Sequence, residues 1–178
     1  WISNHRSVAG ILDYVRRLGA MVGAAAKAEA YADSLERGVD AVAAKAAQFP
    51  VRPRVYFEEW DEPRISGIQW VAELVRIAGG DDIFPELAAE SLAKHRILAN
   101  DEGILARDPQ IVFGSWCGKK FQPGTVAVRT GWDGVSAVRD GQLFEIKSPI
   151  ILQPGPAALT DGLAEMHAHI TRWVAARA

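Results

Sequence analysis

Four carboxylates crowd into five consecutive positions, Glu58, Glu59, Asp61 and Glu62, with Trp60 among them. Carboxylates at that density can act as acid and base or as ligands for a hard cation. Either chemistry needs a positioned partner, and neither a histidine nor a second carboxylate motif stands nearby in sequence to complete it. Cys117, in the run Ser115-Trp116-Cys117-Gly118-Lys119-Lys120, could attack as a nucleophile beside a histidine. Its flanks read instead as a turn at a strand end, without the helix start of a nucleophile elbow. His167 and His169 lie two apart on a helix, point to different faces and read as surface histidines rather than a chelating pair. Glu102 falls in the first turn of a short helix, where the dipole alone accounts for a carboxylate. No catalytic residue, metal or cofactor is assigned. What remains is a binding pattern: open α/β sheets take ligands at the carboxyl ends of their strands, where Trp60 sits among acids. The alternative is a solvated acidic loop with Trp60 as a lid on the core.

The elements that must position these residues follow from periodicity. Val55, Tyr56 and Phe57 form a buried strand that is expected to stop in the acidic loop, which Pro63 closes. Ile68, Val71, Ala72, Val75 and Ala78 then mark a largely buried helix, stopped by Gly79-Gly80. Upstream, Asn4 or Ser7 caps a helix with Val8, Ile11, Leu12, Val15 and Leu18 inward, and Gly19 or Gly23 ends it. A longer helix is expected over Ala24–Phe49, with Ala28, Tyr31, Leu35, Val39, Val42, Ala46 and Phe49 as its buried stripe. Its 25 or so residues make a rod of roughly 37 Å. Trp1–Ser3 reads as the end of a strand. Downstream, helices are expected over Pro85–Lys94, from Asn100 or Asp101 through Arg107, and over Val126–Gly131, with Trp132 leading into an exposed turn. Ile111–Phe113 and Leu143–Ile146 are further strands. Pro156 opens a last helix with Leu159, Leu163, Met166, Ile170 and Trp173 inward.

Strands alternating with helices imply an α/β, Rossmann-like lobe, its mostly parallel sheet covered on both faces. The chain has neither a GxGxxG nor a Walker-type loop for phosphates. Its 178 residues suit one domain, or one domain with an appendage. A net charge of -2 and no basic, aromatic-rich patch argue against a nucleic-acid partner. One cysteine excludes an internal disulfide, and no apolar run reaches membrane-spanning length. No targeting segment is legible.

In the order of its elements the chain resembles the substrate-binding proteins of ABC importers for cobalamin and iron–siderophore complexes, whose two Rossmann-like lobes are joined by one long helix. The segments that carry the likeness are KAEAYADSLERGVDAVAAKAAQF (Lys27–Phe49), RVYFEEWDEP with ISGIQWVAELVRIAGG (Arg54–Gly80), and EGILARDPQIVFGSWCGK (Glu102–Lys119). The second of these is closest to the cobalamin-binding branch. The resemblance implies that residues 1–23 end a first lobe, 24–53 are the interlobe helix and its linker, and 54–178 are the second lobe. It implies ligand contacts at Glu59, Trp60 and Asp61, at Trp116 and Cys117, and at Ile150, Ile151 and Gln153 before the last helix. Glu102 matches the glutamate that docks onto arginines of the membrane permease. The chain departs from the best-known cobalamin binders in its more acidic cleft loop, and in having Arg96 and Ile97 where an aromatic precedes the docking glutamate. The expected function is non-covalent capture of a cobalamin-like corrinoid for an ABC permease, by a monomer in the periplasm or anchored outside the cytoplasmic membrane. Tryptophan faces suit a large flat ligand, and the acidic loop is expected to repel anionic ferric siderophores. A siderophore or haem binder is the second reading, and a small α/β hydrolase-like enzyme the third.

Overall fold

A computed structural model of the chain describes residues 3–177. The strand expected at Trp1–Ser3 therefore falls mostly outside the described residues. Ser7 caps α1 (Val8–Met21), its Oγ accepting the Gly10 N–H at 3.0 Å. Glu73 adds a second cap, its Oε2 accepting the Val8 N–H at 2.7 Å. Gly23, at φ +75°, turns the chain into α2 (Ala25–Ala46). Gly19 serves a different purpose inside α1, because a Cβ there would lie 2.0 Å from that of Ala28 on α2. That close crossing sets which face of α2 is buried: Ala28, Ala32, Leu35, Val39 and Ala46 turn inward. Tyr31, expected on the buried stripe, is instead 46% exposed. The 22 residues of α2 end before Phe49, giving a rod of about 33 Å.

The sheet begins with β1 (Arg54–Asp61), which runs through the acidic residues rather than stopping before them. It turns at Glu62-Pro63 and pairs antiparallel with β2 (Arg64–Ser66), with a register shift between Glu58 and Trp60. Then come α3 (Gln69–Ala78), ended by Gly79 at φ +105°, and the short β3 (Asp81–Asp82). The helix expected over Pro85–Lys94 is broken into α4 (Pro85–Ala88) and a 3-10 turn at Ala93–His95. The remaining elements are α5 (Glu102–Arg107), β4 (Ile111–Gly114), α6 (Pro123–Ala127), α7 (Ser136–Arg139), β5 (Leu143–Glu145), α8 (Ser148–Ile151) and α9 (Leu163–Ala175). Helical structure resumes at Pro156, as expected, and passes through a π-helical stretch at Ala158–Gly162 into α9. Pro123 starts α6 three residues earlier than expected.

β1, β4 and β5 are parallel neighbours, β3 lies parallel along the start of β1, and β2 is the antiparallel exception. Side-chain alternation then builds two cores. Val55, Phe57, Ile111 and Phe113 face α1, α2, α3 and α9. Tyr56 and Val112 face Phe84, Ile104, Phe121, Val126 and Trp132. The mostly parallel α/β sheet is therefore covered on both faces, as its pattern required. Trp132, expected to lead into an exposed turn, is itself completely buried in this second core, and its indole N–H donates to Asp101 Oδ2 at 2.7 Å. The two histidines of α9 are half-buried rather than on the surface. His167 bonds the Ala78 carbonyl at 2.9 Å, and His169 packs 3.8 Å from the Phe144 ring.

Candidate functional site

Parallel pairing brings the carboxyl ends of β1, β4 and β5 to one side, and a groove of about 510 Å³ opens beside the loops after β4 and β5. Trp116, Lys119, Lys120, Glu145, Lys147 and Ser148 line it. A slightly larger groove, about 550 Å³, runs along Gln69, Glu73 and Arg76 of α3 to Asp81. It reaches the opposite end of the sheet, at the amino ends of the parallel strands, so the groove at the carboxyl ends is the candidate site.

Most of the acidic run is paired. Glu58 is completely buried and accepts two bonds from the Arg129 guanidinium, at 2.7 and 2.9 Å. The Trp116 indole N–H also donates to Glu58 Oε1 at 3.0 Å, and the Tyr56 hydroxyl to Glu58 Oε2 at 3.2 Å. A buried carboxylate with this many donors is satisfied and unavailable for chemistry. Burial, with the Glu58 charge behind it, pushes the Tyr56 hydroxyl well above its ordinary pKa. Glu59 accepts from Arg96 at 2.6 and 3.2 Å, and Arg96 is itself 2% exposed. Asp61 holds Lys119 at 2.7 and 2.8 Å. Of the four carboxylates only Glu62, exposed at the hairpin turn, lacks a side-chain partner among the described residues. The acidic loop is thus largely neutralised, and its expected repulsion of anions loses its basis.

Lys119 links the two tryptophans. Its Nζ lies 4.8 Å from the Trp60 ring and 5.0 Å from the Trp116 ring, within reach of cation–π attraction to both. Trp60 is half-buried, with its indole N–H on the Glu62 carbonyl at 2.8 Å. Trp116, an expected ligand contact, is only 4% exposed. The bond to Glu58 draws its indole inward, and Phe121 covers it edge-on at 4.9 Å. Phe121 can sit there because Gly114 has no side chain: a Cβ would lie 1.9 Å from the ring. Trp116 forms the floor of the groove rather than a free wall.

The other expected contacts scatter. Cys117 is exposed, with no histidine or carboxylate partner among the described residues. Ile150 is half-buried and Gln153 exposed. Ile151 lies on α8, not in a loop, and its side chain is wholly inside the core, where it offers a ligand no surface. Glu102 is exposed at the start of α5, with no side-chain partner among the described residues, and its backbone N–H donates to Asn100 Oδ1 at 3.1 Å. The neighbouring Asp101 anchors that helix start by pairing with Arg64 at 2.8 Å. Among the described residues no cluster of three His, Cys, Asp or Glu could hold a metal ion. Arg129 and Lys147 went unrecognised in the sequence. Nothing local marks either, since each acquires its place only through sheet closure.

A family profile for periplasmic binding proteins matches residues 2–150, most of the chain. The chain belongs to the periplasmic binding protein family. Among curated proteins, none matches this periplasmic binding protein. Solved structures do, and they share its fold. Staphylococcus aureus IsdE complexed with heme superposes with a TM-score of 0.79 at 18% identity, covering 96% of this chain and 67% of IsdE. A possible iron-binding protein from Staphylococcus epidermidis gives 0.78 at 17% identity, covering 93% of this chain and 63% of that one. The vitamin B12-binding protein BtuF of Vibrio cholerae gives 0.71 at 20% identity, covering 96% of this chain and 64% of BtuF. The chain spans just under two thirds of the length of the Staphylococcus epidermidis and Vibrio cholerae proteins. Among the described residues no helix is long and apolar enough to cross a membrane.

Proposed function

We propose that this periplasmic binding protein captures a corrinoid outside the cytoplasmic membrane and delivers it to an ABC permease. The observation that carries the reading is the cluster of Trp60, Lys119 and Trp116 at the carboxyl ends of parallel strands, where Lys119 and Trp116 line a groove open to solvent. An aromatic ring beside a long aliphatic stem offers flat apolar area with little rotamer entropy to lose. The likeness of Arg54–Gly80 to cobalamin binders, and of the fold to BtuF, supports the corrinoid. In this reading, residues 54–178 are one ligand lobe and α2 is the connector to another. A haem or ferric siderophore is the second reading, favoured by the pairing of the acidic loop and by the lysines of the groove. Non-covalent capture requires no catalytic residue in either case.

Titration of the encoded protein with cobalamin, haem and a ferric siderophore, followed by tryptophan quenching, tests the assignment. Tight, saturable quenching by cobalamin alone is the expected result, and quenching by haem or siderophore alone would replace it with the second reading. Trp60→Ala should weaken the productive ligand by about 1–3 kcal/mol, with unfolding little changed because the ring is only half-buried.

A further inference from the structure

We propose that the captured solute carries an oxyanion, a carboxylate or a phosphodiester, held between Lys120 and Lys147 across the strand-end groove. The inference rests on the solute-binding reading above and names the chemistry of that solute. The groove is lined by Lys119, Lys120 and Lys147 against one carboxylate, Glu145. Lys119 is already committed to Asp61. One oxygen of Glu145 is occupied by the Phe121 N–H at 3.0 Å. Lys120 and Lys147 are exposed and make no hydrogen bond or ion pair among the described residues. The further carboxylate that senses Lys147 is Glu165 on α9, whose pKa burial raises and the lysine partly restores.

The placement of the two ammonium groups follows from the sheet. Lys120 leaves the loop after β4 and Lys147 the loop after β5, and the two strands are parallel neighbours with Gly114 opposite Glu145. The strand pairing therefore holds the roots of both side chains at the edges of one groove. Each ammonium is a compact charge on a flexible stem, suited to oxyanions of varied geometry. Beside them the acidic residues that would cancel their field are paired inward, Glu58 by Arg129 and Glu59 by Arg96. A cleft lined by one sign of charge concentrates ligands of the other.

The test pairs probes that differ in an oxyanion. Haem against its dimethyl ester reports a carboxylate, and cobalamin against cobinamide, which lacks the nucleotide loop with its phosphodiester, reports a phosphate where the gap depends on salt and on the lysines. Affinities of the encoded protein are read by tryptophan quenching at low and high salt. In one pair the oxyanion-bearing member should bind about tenfold tighter or more, with the gap narrowing as salt rises. The pair that shows the gap identifies the source. The double variant Lys120→Gln with Lys147→Gln should lose the gap, and Lys120→Arg with Lys147→Arg should keep it, which separates charge from misfolding. Equal binding within both pairs, or a gap that survives the glutamine variant, overturns the proposal and leaves solute binding standing. Failure of all four probes to bind overturns both.

Discussion

At the scale of residues, the acidic run shows how far identity is from availability. Glu58, Glu59 and Asp61 look alike in sequence, yet each is joined to its own cation from a different part of the chain. Two other titratable groups are left in costly surroundings and contribute opposite slopes to stability on the acid side. His169, packed on Phe144, is lowered to about 4 by burial and by Arg172. Between that value and the ordinary 6.5 the unfolded chain binds a proton the native state refuses, so His169 makes stability rise with pH across this window. Asp82 is raised to about 6, chiefly by burial. Between 3.8 and about 6 the native state keeps a proton the unfolded chain has lost, so Asp82 makes stability fall with pH. The two slopes oppose each other over the shared range. In urea unfolding the contributions of these two groups should therefore largely offset each other from pH 4 to 6. Asp82→Asn should unmask a rise with pH, and His169→Gln a fall. Parallel profiles for the three proteins would contradict both assignments.

At the scale of elements, the loop after β4 is shaped by an absence. Gly114 has no side chain, Phe121 occupies the space, and Trp116 is pinned between Phe121 and Glu58. Gly114→Ala forces the ring to move by more than a small adjustment, since 1.9 Å is far inside contact distance. Overpacking of this kind costs about 1–3 kcal/mol, so the urea midpoint should drop and the Trp116 emission should shift with it. Gly124, in α6, has open space where a Cβ would go. Gly124→Ala should hold or raise stability by up to about 1 kcal/mol. A similar outcome for the two glycines would mean that Phe121 does not pack as described. The α1–α2 crossing uses the same device, with Gly19 against Ala28.

For the molecule as a whole, α2 is joined to the lobe rather than hung from it. Leu35 and Val39 share one core with Val75 of α3 and Ile170 of α9. If α2 is the connector proposed above, packing of this kind resists bending, and ligand-free and ligand-bound forms of the encoded protein should show only a small change in radius of gyration by solution scattering. A wide hinge closure would contradict it. Glu102 stands exposed, on a helix start that Asp101 fastens to Arg64. If it docks on a permease arginine, Glu102→Ala should leave solute affinity intact and weaken transporter association, more at low salt, and Glu102→Arg should weaken it further. If it serves only the helix dipole, the cost is about 0.3–1 kcal/mol of stability, and complex formation is unchanged in both variants.

Local chemistry determined much of this on its own. Ser7 caps a helix, Gly79 ends one and Pro156 begins one, because each acts on backbone within a few residues of itself. The apolar runs at Val55 and Ile111, rich in β-branched and aromatic residues, read as strands buried on two faces, and that sufficed for a mostly parallel α/β sheet. Tertiary structure decided which charges survive at that edge. Arg129 lies 71 residues from Glu58, Lys119 58 from Asp61 and Arg96 37 from Glu59. Pairings at such separations depend on sheet register and loop packing, which no local pattern encodes. Tyr31 and Trp116 make the same point for apolar groups. One was turned outward by a helix crossing at Gly19, and the other drawn inward by a buried carboxylate. Residue type sets what a side chain can do; the neighbours that folding brings set whether it is free to do it.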